Sequence, residues 1–144
     1  WAGEFGGFRV AAGAGYRVEN LDAFAASDMT TLAGSASVLH VSTGLFLNGY
    51  AGQQDKHPIW ADVQMWQVRG GVHRNFFGFG GTSAFLEYGD HSLKDLGVDS
   101  TFVGGGVTQS IDAASMDLFL SYRAYDVDGA FDAATAMAGA RIRF

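Results

Sequence analysis

The feature that most constrains this chain is an alternation of apolar and polar residues that recurs along its length. In residues 8–18 the even positions run from Phe8 to Val18 and are apolar, whereas Arg9 and Arg17 occupy odd positions among alanines and glycines. Residues 114–125 and 136–144 repeat the pattern. Side chains of a strand point alternately to its two faces, so each run predicts a β-strand with one apolar and one polar face.

Residues 39–48 show the same alternation, with Phe46 as the exception on the polar face. Three less regular runs, residues 59–73, 80–88 and 101–109, bring the predicted strand count to seven. In the first of these the apolar face changes parity near Met65 and Trp66, which predicts a β-bulge. Residues 53–58, 89–100 and 126–129 carry turn-forming residues and predict loops between the strands.

Composition narrows the class of protein. The chain combines 48% hydrophobic residues with 21 glycines, 20 aromatic residues and a single proline, which excludes disorder and disfavours a helical bundle. The net charge of −6 disfavours a nucleic-acid partner. Because cysteine is absent, we expect neither disulfides nor thiolate metal sites. Residues 29–54 contain no Asp, Glu, Lys or Arg, yet they are too polar for a membrane-spanning helix.

Two arrangements fit alternating strands. A soluble β-protein turns its apolar face inward, whereas a membrane barrel turns it outward to the lipid. The apolar faces of the first and last runs are rich in alanine, which packs a soluble core poorly, and the polar faces carry arginine where a soluble surface would share the charge with lysine. The sequence therefore predicts an all-β fold, an antiparallel transmembrane β-barrel, either eight-stranded or the C-terminal part of a larger barrel.

The polar faces and strand ends define the candidate functional residues. The predicted pore-lining residues are Arg9, Arg17, His40, Asp62, Gln64, Arg69, Glu87, Asp117, Arg123, Arg141 and Arg143. The predicted membrane-interface aromatics are Tyr16, Trp60, Tyr88, Tyr122 and Phe144. The histidines share no ligand spacing, and no nucleophile elbow or complete phosphate-binding motif is present, so we expect no metal, no cofactor and no enzymatic activity.

Part of the chain resembles a known family. The stretch GGGVTQSIDAASMDLFLSYR at 104–123 is similar to the C-terminal region of alphaproteobacterial-type outer-membrane porins, and GARIRF at 139–144 resembles their terminal strand. Weaker similarity lies at 37–46 and 81–89. The resemblance implies that Ile142 and Phe144 form the signal that the outer-membrane assembly machinery reads. Porins of this type are much longer, so we expect a C-terminal section of a larger barrel.

These observations lead to one preferred function and two alternatives. The preferred function is a porin of the Gram-negative outer membrane, which is a passive diffusion channel for small hydrophilic solutes or ions. We expect it to contact outer-membrane lipid, and a homo-oligomer is a candidate assembly. Arginines on the polar faces predict an anion-leaning or weakly selective lumen. The alternatives are a small closed barrel with a structural or surface-interaction role, acting through acidic loops such as 89–100, and a soluble ligand-binding β-barrel.

Overall fold

The computed structural model of the chain describes residues 1–19, 28–55, 62–129 and 132–143. Within these ranges the protein is all-β, apart from two single-turn 3₁₀ helices at Lys94–Leu96 and Asp112–Ala114. Nine strands are present in the described part of the chain: β1 (Ala2–Phe5), β2 (Phe8–Glu19), β3 (Met29–His40), β4 (Leu45–Asp55), β5 (Val63–Arg74), β6 (Thr82–Leu93), β7 (Val98–Ile111), β8 (Met116–Val127) and β9 (Asp132–Ile142).

The nine strands form a single sheet in which each strand pairs antiparallel with its neighbour in sequence. The predicted all-β antiparallel fold is thus confirmed, but the predicted count of seven strands is wrong. The sheet is open, because β1 and β9 are its two edges and do not pair with each other. At one edge, β1 pairs with Phe8–Ala11 of β2 and Trp1 bonds Ala12, so residues 13–19 of that strand are also an edge.

Of the two strands that the sequence does not predict, one is the short β1 and the other results from residues 39–48, which the alternation predicts to be one strand. The structure ends β3 at His40 and begins β4 at Leu45, with a tight turn between them. Gly44 makes this turn possible: its φ of 75° favours glycine, and a side chain there would collide with the carbonyl of His73. Because the same apolar parity continues through the turn, the alternation alone did not reveal the hairpin.

Two further predictions are corrected by the strand pairing. No bulge interrupts β5, since Val63–Arg74 pairs residue by residue with β6 and its register to β4 is also continuous. Val63 and Met65 therefore lie on the polar face. The predicted loop at 89–100 is mostly strand, because β6 extends to Leu93 and β7 begins at Val98.

The two ends of the sheet differ in chemistry. One end, here called the turn end, carries the connections at 6–7, 41–44, 75–81 and 112–115. At the opposite end, here called the acidic end, lie most of the described aspartates: Asp28, Asp55, Asp62, Asp90, Asp95, Asp99, Asp126, Asp128 and Asp132.

The sheet has no hydrophobic core. Among the described residues, no hydrophobic side chain is buried, and the only buried polar ones are Thr82, Glu87 and Asp117. Leu86 and Leu120, in the middle of the sheet, are 74% and 55% exposed. An apolar face that extends across the whole sheet is unusual for a soluble monomer, because exposed apolar patches on such proteins are usually limited to a few hundred Å². Within the described ranges, no helix has the length and apolar character to span a membrane.

Candidate functional site

The strand register divides the side chains between an apolar face and an arginine face. Cα partners on neighbouring strands point to the same side, so the pairs Arg9–Leu39, Arg69–Glu87, Glu87–Gly104, Gly104–Arg123 and Asp117–Arg141 all belong to one face. Arg17 lies on the same face as Arg9, eight residues along β2. We call this the arginine face. It also holds both buried carboxylates, which reverses the usual distribution of charged and apolar groups in a globular protein.

The centre of the arginine face is a three-residue ion cluster around Glu87, whose side chain is only 4% exposed. Oε2 of Glu87 accepts hydrogen bonds from Nε and Nη2 of Arg69 at 3.0 and 2.6 Å, and from Nε2 of Gln67 at 2.8 Å. Oε1 accepts from Nε and Nη2 of Arg123 at 2.9 and 2.6 Å. Both arginines therefore bind the carboxylate with charge-assisted hydrogen bonds, the strong class of such interactions.

A glycine makes the second of these ion pairs possible. Arg123 lies on β8 and Glu87 on β6, and the residue between them on β7 is Gly104. A Cβ atom at Gly104 would lie 3.0 Å from Oε1 of Glu87 and 2.9 Å from the carbonyl oxygen of Tyr122. The absence of a side chain lets Arg123 reach across a strand, so glycine at this position has a direct role in the cluster.

A second buried carboxylate, Asp117, lies on the same face near the turn end. Its Oδ2 accepts a hydrogen bond from Nη2 of Arg141 at 2.7 Å, and its Oδ1 accepts one from the hydroxyl of Ser110 at 2.7 Å. Arg143 completes the group with an ion pair at 3.4 Å. Two arginines thus share one carboxylate here, as they do at Glu87.

The remaining arginine-face pairs lie nearer the surface, although Glu19 is only partly exposed. Arg9 binds Glu4 at 2.7 Å, and Arg17 pairs with Glu19. Counting all four groups, the arginine face carries six arginines against four carboxylates, an excess of two positive charges. The chain as a whole has a net charge of −6. The negative charge is concentrated at the acidic end, so the arginine face is a positive strip on an acidic protein.

Three predicted pore-lining residues do not lie on the arginine face. His40 pairs with Phe8 on the apolar face, where the two rings are 4.7 Å apart, and its imidazole bonds Ser42 and Thr43 in the adjoining turn. Gln64 also lies on the apolar face, at its acidic end, and bonds Gln53.

The third residue, Asp62, precedes β5 at the acidic end, where its backbone N–H donates to Asp95. The assignment of His40 and Gln64 to the polar face is therefore wrong, because the hairpin turn and the absence of a bulge place each on the other side.

The described aromatic candidates lie on the apolar face. Tyr16, Tyr88 and Tyr122 are exposed, and Trp66, which was not among the predicted interface aromatics, packs against Tyr88 with ring centroids 5.5 Å apart. Ile142 ends β9 on the same face and is exposed. Trp60 and Phe144, the other interface candidates, lie outside the described residues.

These four aromatics form a slanted row across the apolar face. Through the strand pairing, Tyr16 on β2 is aligned with Gln64 on β5, so Trp66 lies two residues nearer the turn end than Tyr16. Tyr88 on β6 lies two residues nearer that end than Trp66, and Tyr122 on β8 two residues nearer than Tyr88. The row therefore moves six residues, about 20 Å, while crossing six strand spacings, about 29 Å. This slope corresponds to about 35°, the tilt of strands in closed barrels.

The described ranges hold no group of three or more His, Cys, Asp or Glu residues arranged to bind a metal ion. Comparisons with protein-family models, curated proteins and solved structures give no match to this chain. The similarity to porins stays a prediction from the residues quoted above.

Proposed function

We propose that this sheet is part of the wall of a transmembrane β-barrel in the outer membrane of a Gram-negative bacterium. In this proposal the apolar face contacts lipid and the arginine face borders a water-filled pore. The protein then acts as a porin, through which small hydrophilic solutes and ions diffuse passively. Its mechanism depends on pore width and wall charge and involves no chemical turnover.

The observation that carries the proposal is the reversed polarity of the sheet. Hydrophobic side chains are exposed throughout one face, whereas the two buried carboxylates lie on the other face among arginines. The strands β2 to β9 have 11 to 14 residues each, which is enough for tilted strands to cross the hydrocarbon layer. The slanted aromatic row has the slope that a level ring of interfacial aromatics would show on such strands.

The open edges extend the proposal. Unpaired backbone N–H and C=O groups are not tolerated against lipid, so a membrane-embedded form of this sheet needs further strands at β1–β2 and at β9. Nine strands are about half of the ~16 to 18 that enclose an aqueous channel. We therefore place the sheet in a larger barrel, with assembly guided by the terminal strand through Ile142 and Phe144.

Wall charge supports a preference for anions. The excess of two positive charges on the arginine face includes Arg69 and Arg123, whose side chains are 36% and 32% exposed beside Glu87. A permeating ion exchanges hydration for such fixed charges, so a positive wall favours anions over cations.

One observation favours a different function. All six arginines of this face are paired with carboxylates, as they would be in a small barrel whose interior is filled by its own side chains. Such a barrel would be non-conducting, with a structural or surface-interaction role. A soluble ligand-binding barrel has less support, because it would enclose the apolar face that is uncovered here.

Ion conduction separates these functions. Purified protein is added to a planar lipid bilayer, and the reversal potential is measured under a KCl gradient. We expect stepwise conductance with a preference for chloride, reduced in Arg69→Gln and Arg123→Gln. Arg74→Gln, at the turn end of β5 and on the opposite face from these arginines, is the matched control. Absence of conductance from folded, membrane-inserted protein would favour the filled barrel, and strong cation preference unaltered by both central variants would contradict the charge assignment.

A further inference from the structure

Each central arginine makes contacts besides its ion pair with Glu87. The guanidinium of Arg123 lies over the ring of Phe102, with Cζ 4.4 Å from the ring centroid, and its Nη1 donates a hydrogen bond to the hydroxyl of Tyr125 at 3.3 Å. The guanidinium of Arg69 lies in the same way over Phe85, at 4.3 Å. A cation within about 6 Å of a ring centroid is attracted by the quadrupole of the ring, so each contact is a cation–π interaction.

The rings themselves rest on glycines of neighbouring strands. Phe102 is the direct partner of Gly89 on β6, and a Cβ at Gly89 would fall on the ring. Phe85 is the direct partner of Gly106 on β7, where a Cβ would lie 2.9 Å from Cζ of the ring. The glycines allow the rings to lie close to the backbone. The rings in turn cover the strand backbone that a glycine, having no side chain, leaves exposed.

We propose that Phe85 and Phe102 are positioning residues that fix Arg69 and Arg123 in the pore wall. In each stack a glycine supports a phenyl ring, the ring supports a guanidinium, and Glu87 binds the guanidinium edge. Without the ring, the guanidinium keeps its charge and its hydrogen bonds but loses the contact that covers its flat face, so it moves more freely. The effect on ion selectivity rests on the proposed pore function, whereas the effect on arginine mobility does not.

The sheet contains its own control for this proposal. Phe119 is the partner of Gly139 and lies on it as closely, since a Cβ at Gly139 would be 2.7 Å from Cζ of the ring. Among the described residues, no arginine or lysine stacks on Phe119. Replacing Phe119 therefore removes a phenyl–glycine pair of the same kind without touching a guanidinium.

Arginine mobility can be measured by chemical modification. Folded protein is treated with phenylglyoxal, which reacts with accessible guanidinium groups, and the rate at each arginine is followed by mass spectrometry. We expect Phe102→Leu to speed modification of Arg123 about two- to fivefold, the factor that corresponds to an exposed cation–π contact. The rate at Arg141, whose side chain is 71% exposed, serves as the internal standard and stays constant.

Further variants decide between positioning and general destabilisation. Phe85→Leu tests the same effect at Arg69, so the experiment does not depend on one variant folding. Phe102→Tyr keeps the ring and restores the slow rate, and Phe119→Leu leaves Arg69 and Arg123 slow. The proposal is overturned if Phe85→Leu does not change the modification rate of Arg69 and Phe102→Leu does not change that of Arg123. It is also overturned if Phe119→Leu speeds modification of both arginines equally.

The bilayer measurement then connects position to selectivity. In Phe102→Leu, which changes no charge, the chloride-to-potassium permeability ratio falls about twofold, whereas it is unchanged in Phe119→Leu. If the protein conducts and both variants retain the ratio, the rings do not govern selectivity and that part of the proposal fails. If the protein does not conduct, the proposed pore function fails, and the modification rates still test the stacks.

Discussion

Replacing Glu87 with glutamine tests how strongly the central cluster stabilises the sheet. The carboxylate is 4% exposed and accepts five hydrogen bonds from Gln67, Arg69 and Arg123. Glutamine keeps the size of the side chain but removes its charge. Its one carbonyl oxygen can satisfy a single guanidinium, and its NH₂ group then faces the donors of the other.

The magnitude follows from this geometry. Breaking a buried ion pair by removing one partner costs about 3–5 kcal/mol, because the remaining charge is left buried. Here the two arginines are about one third exposed and can turn toward water, which lowers the penalty. We therefore expect Glu87→Gln to reduce the free energy of unfolding by about 2–3 kcal/mol, within the range for hydrogen bonds between charged groups.

The assay is urea unfolding of the protein in lipid vesicles, followed by circular dichroism. Glu4→Gln is the matched control, since it removes the same charge from an exposed ion pair. In that pair the side chains of Arg9 and Glu4 are 62% and 53% exposed. We expect that control to cost less than about 1 kcal/mol. Equal losses for Glu87→Gln and Glu4→Gln would refute the reasoning, because burial would then add nothing to the central pair.

Two further predictions concern opposite faces of the sheet. Gly104→Ala should separate Arg123 from Glu87 and destabilise the protein by about 1–3 kcal/mol, as overpacking does. Gly15→Ala is the control, because a Cβ atom added there has no neighbour within 4 Å, and equal urea midpoints for the two variants would contradict the prediction. Leu86→Arg, on the apolar face, should cost about 2–4 kcal/mol in vesicles, and an equal cost for Ser121→Arg on the arginine face would argue against lipid contact.

The strands were predictable where the alternation is undisturbed. The odd residues 9–17 reach the arginine face as expected, and β8 and β9 follow the same rule. The hairpin at 41–44 is not visible in the sequence, because the apolar residues Leu39 and Leu45 both occupy odd positions although they lie on opposite faces of the sheet. The alternation of apolar and polar residues continues through the turn, so it does not mark where the turn lies.

The central cluster could be predicted only in part. Arg69, Glu87 and Arg123 were each expected on the polar face, but their meeting depends on the register of four strands and on the missing side chain at Gly104. The sequence shows that three consecutive glycines occur at 104–106. It does not show that Gly104 makes room for an ion pair and Gly106 for a phenyl ring, because both partners lie on β6 and are not local in sequence.

The central claim, that one face of the sheet meets lipid and the other meets water, is tested most directly with two neighbouring residues. Leu120 and Ser121 are adjacent on β8 and lie on opposite faces, and the chain contains no cysteine. Each is replaced by cysteine, and the protein in lipid vesicles is treated with a charged, membrane-impermeant maleimide. The account predicts fast labelling of Ser121→Cys and protection of Leu120→Cys, while fast labelling of Leu120→Cys would contradict it.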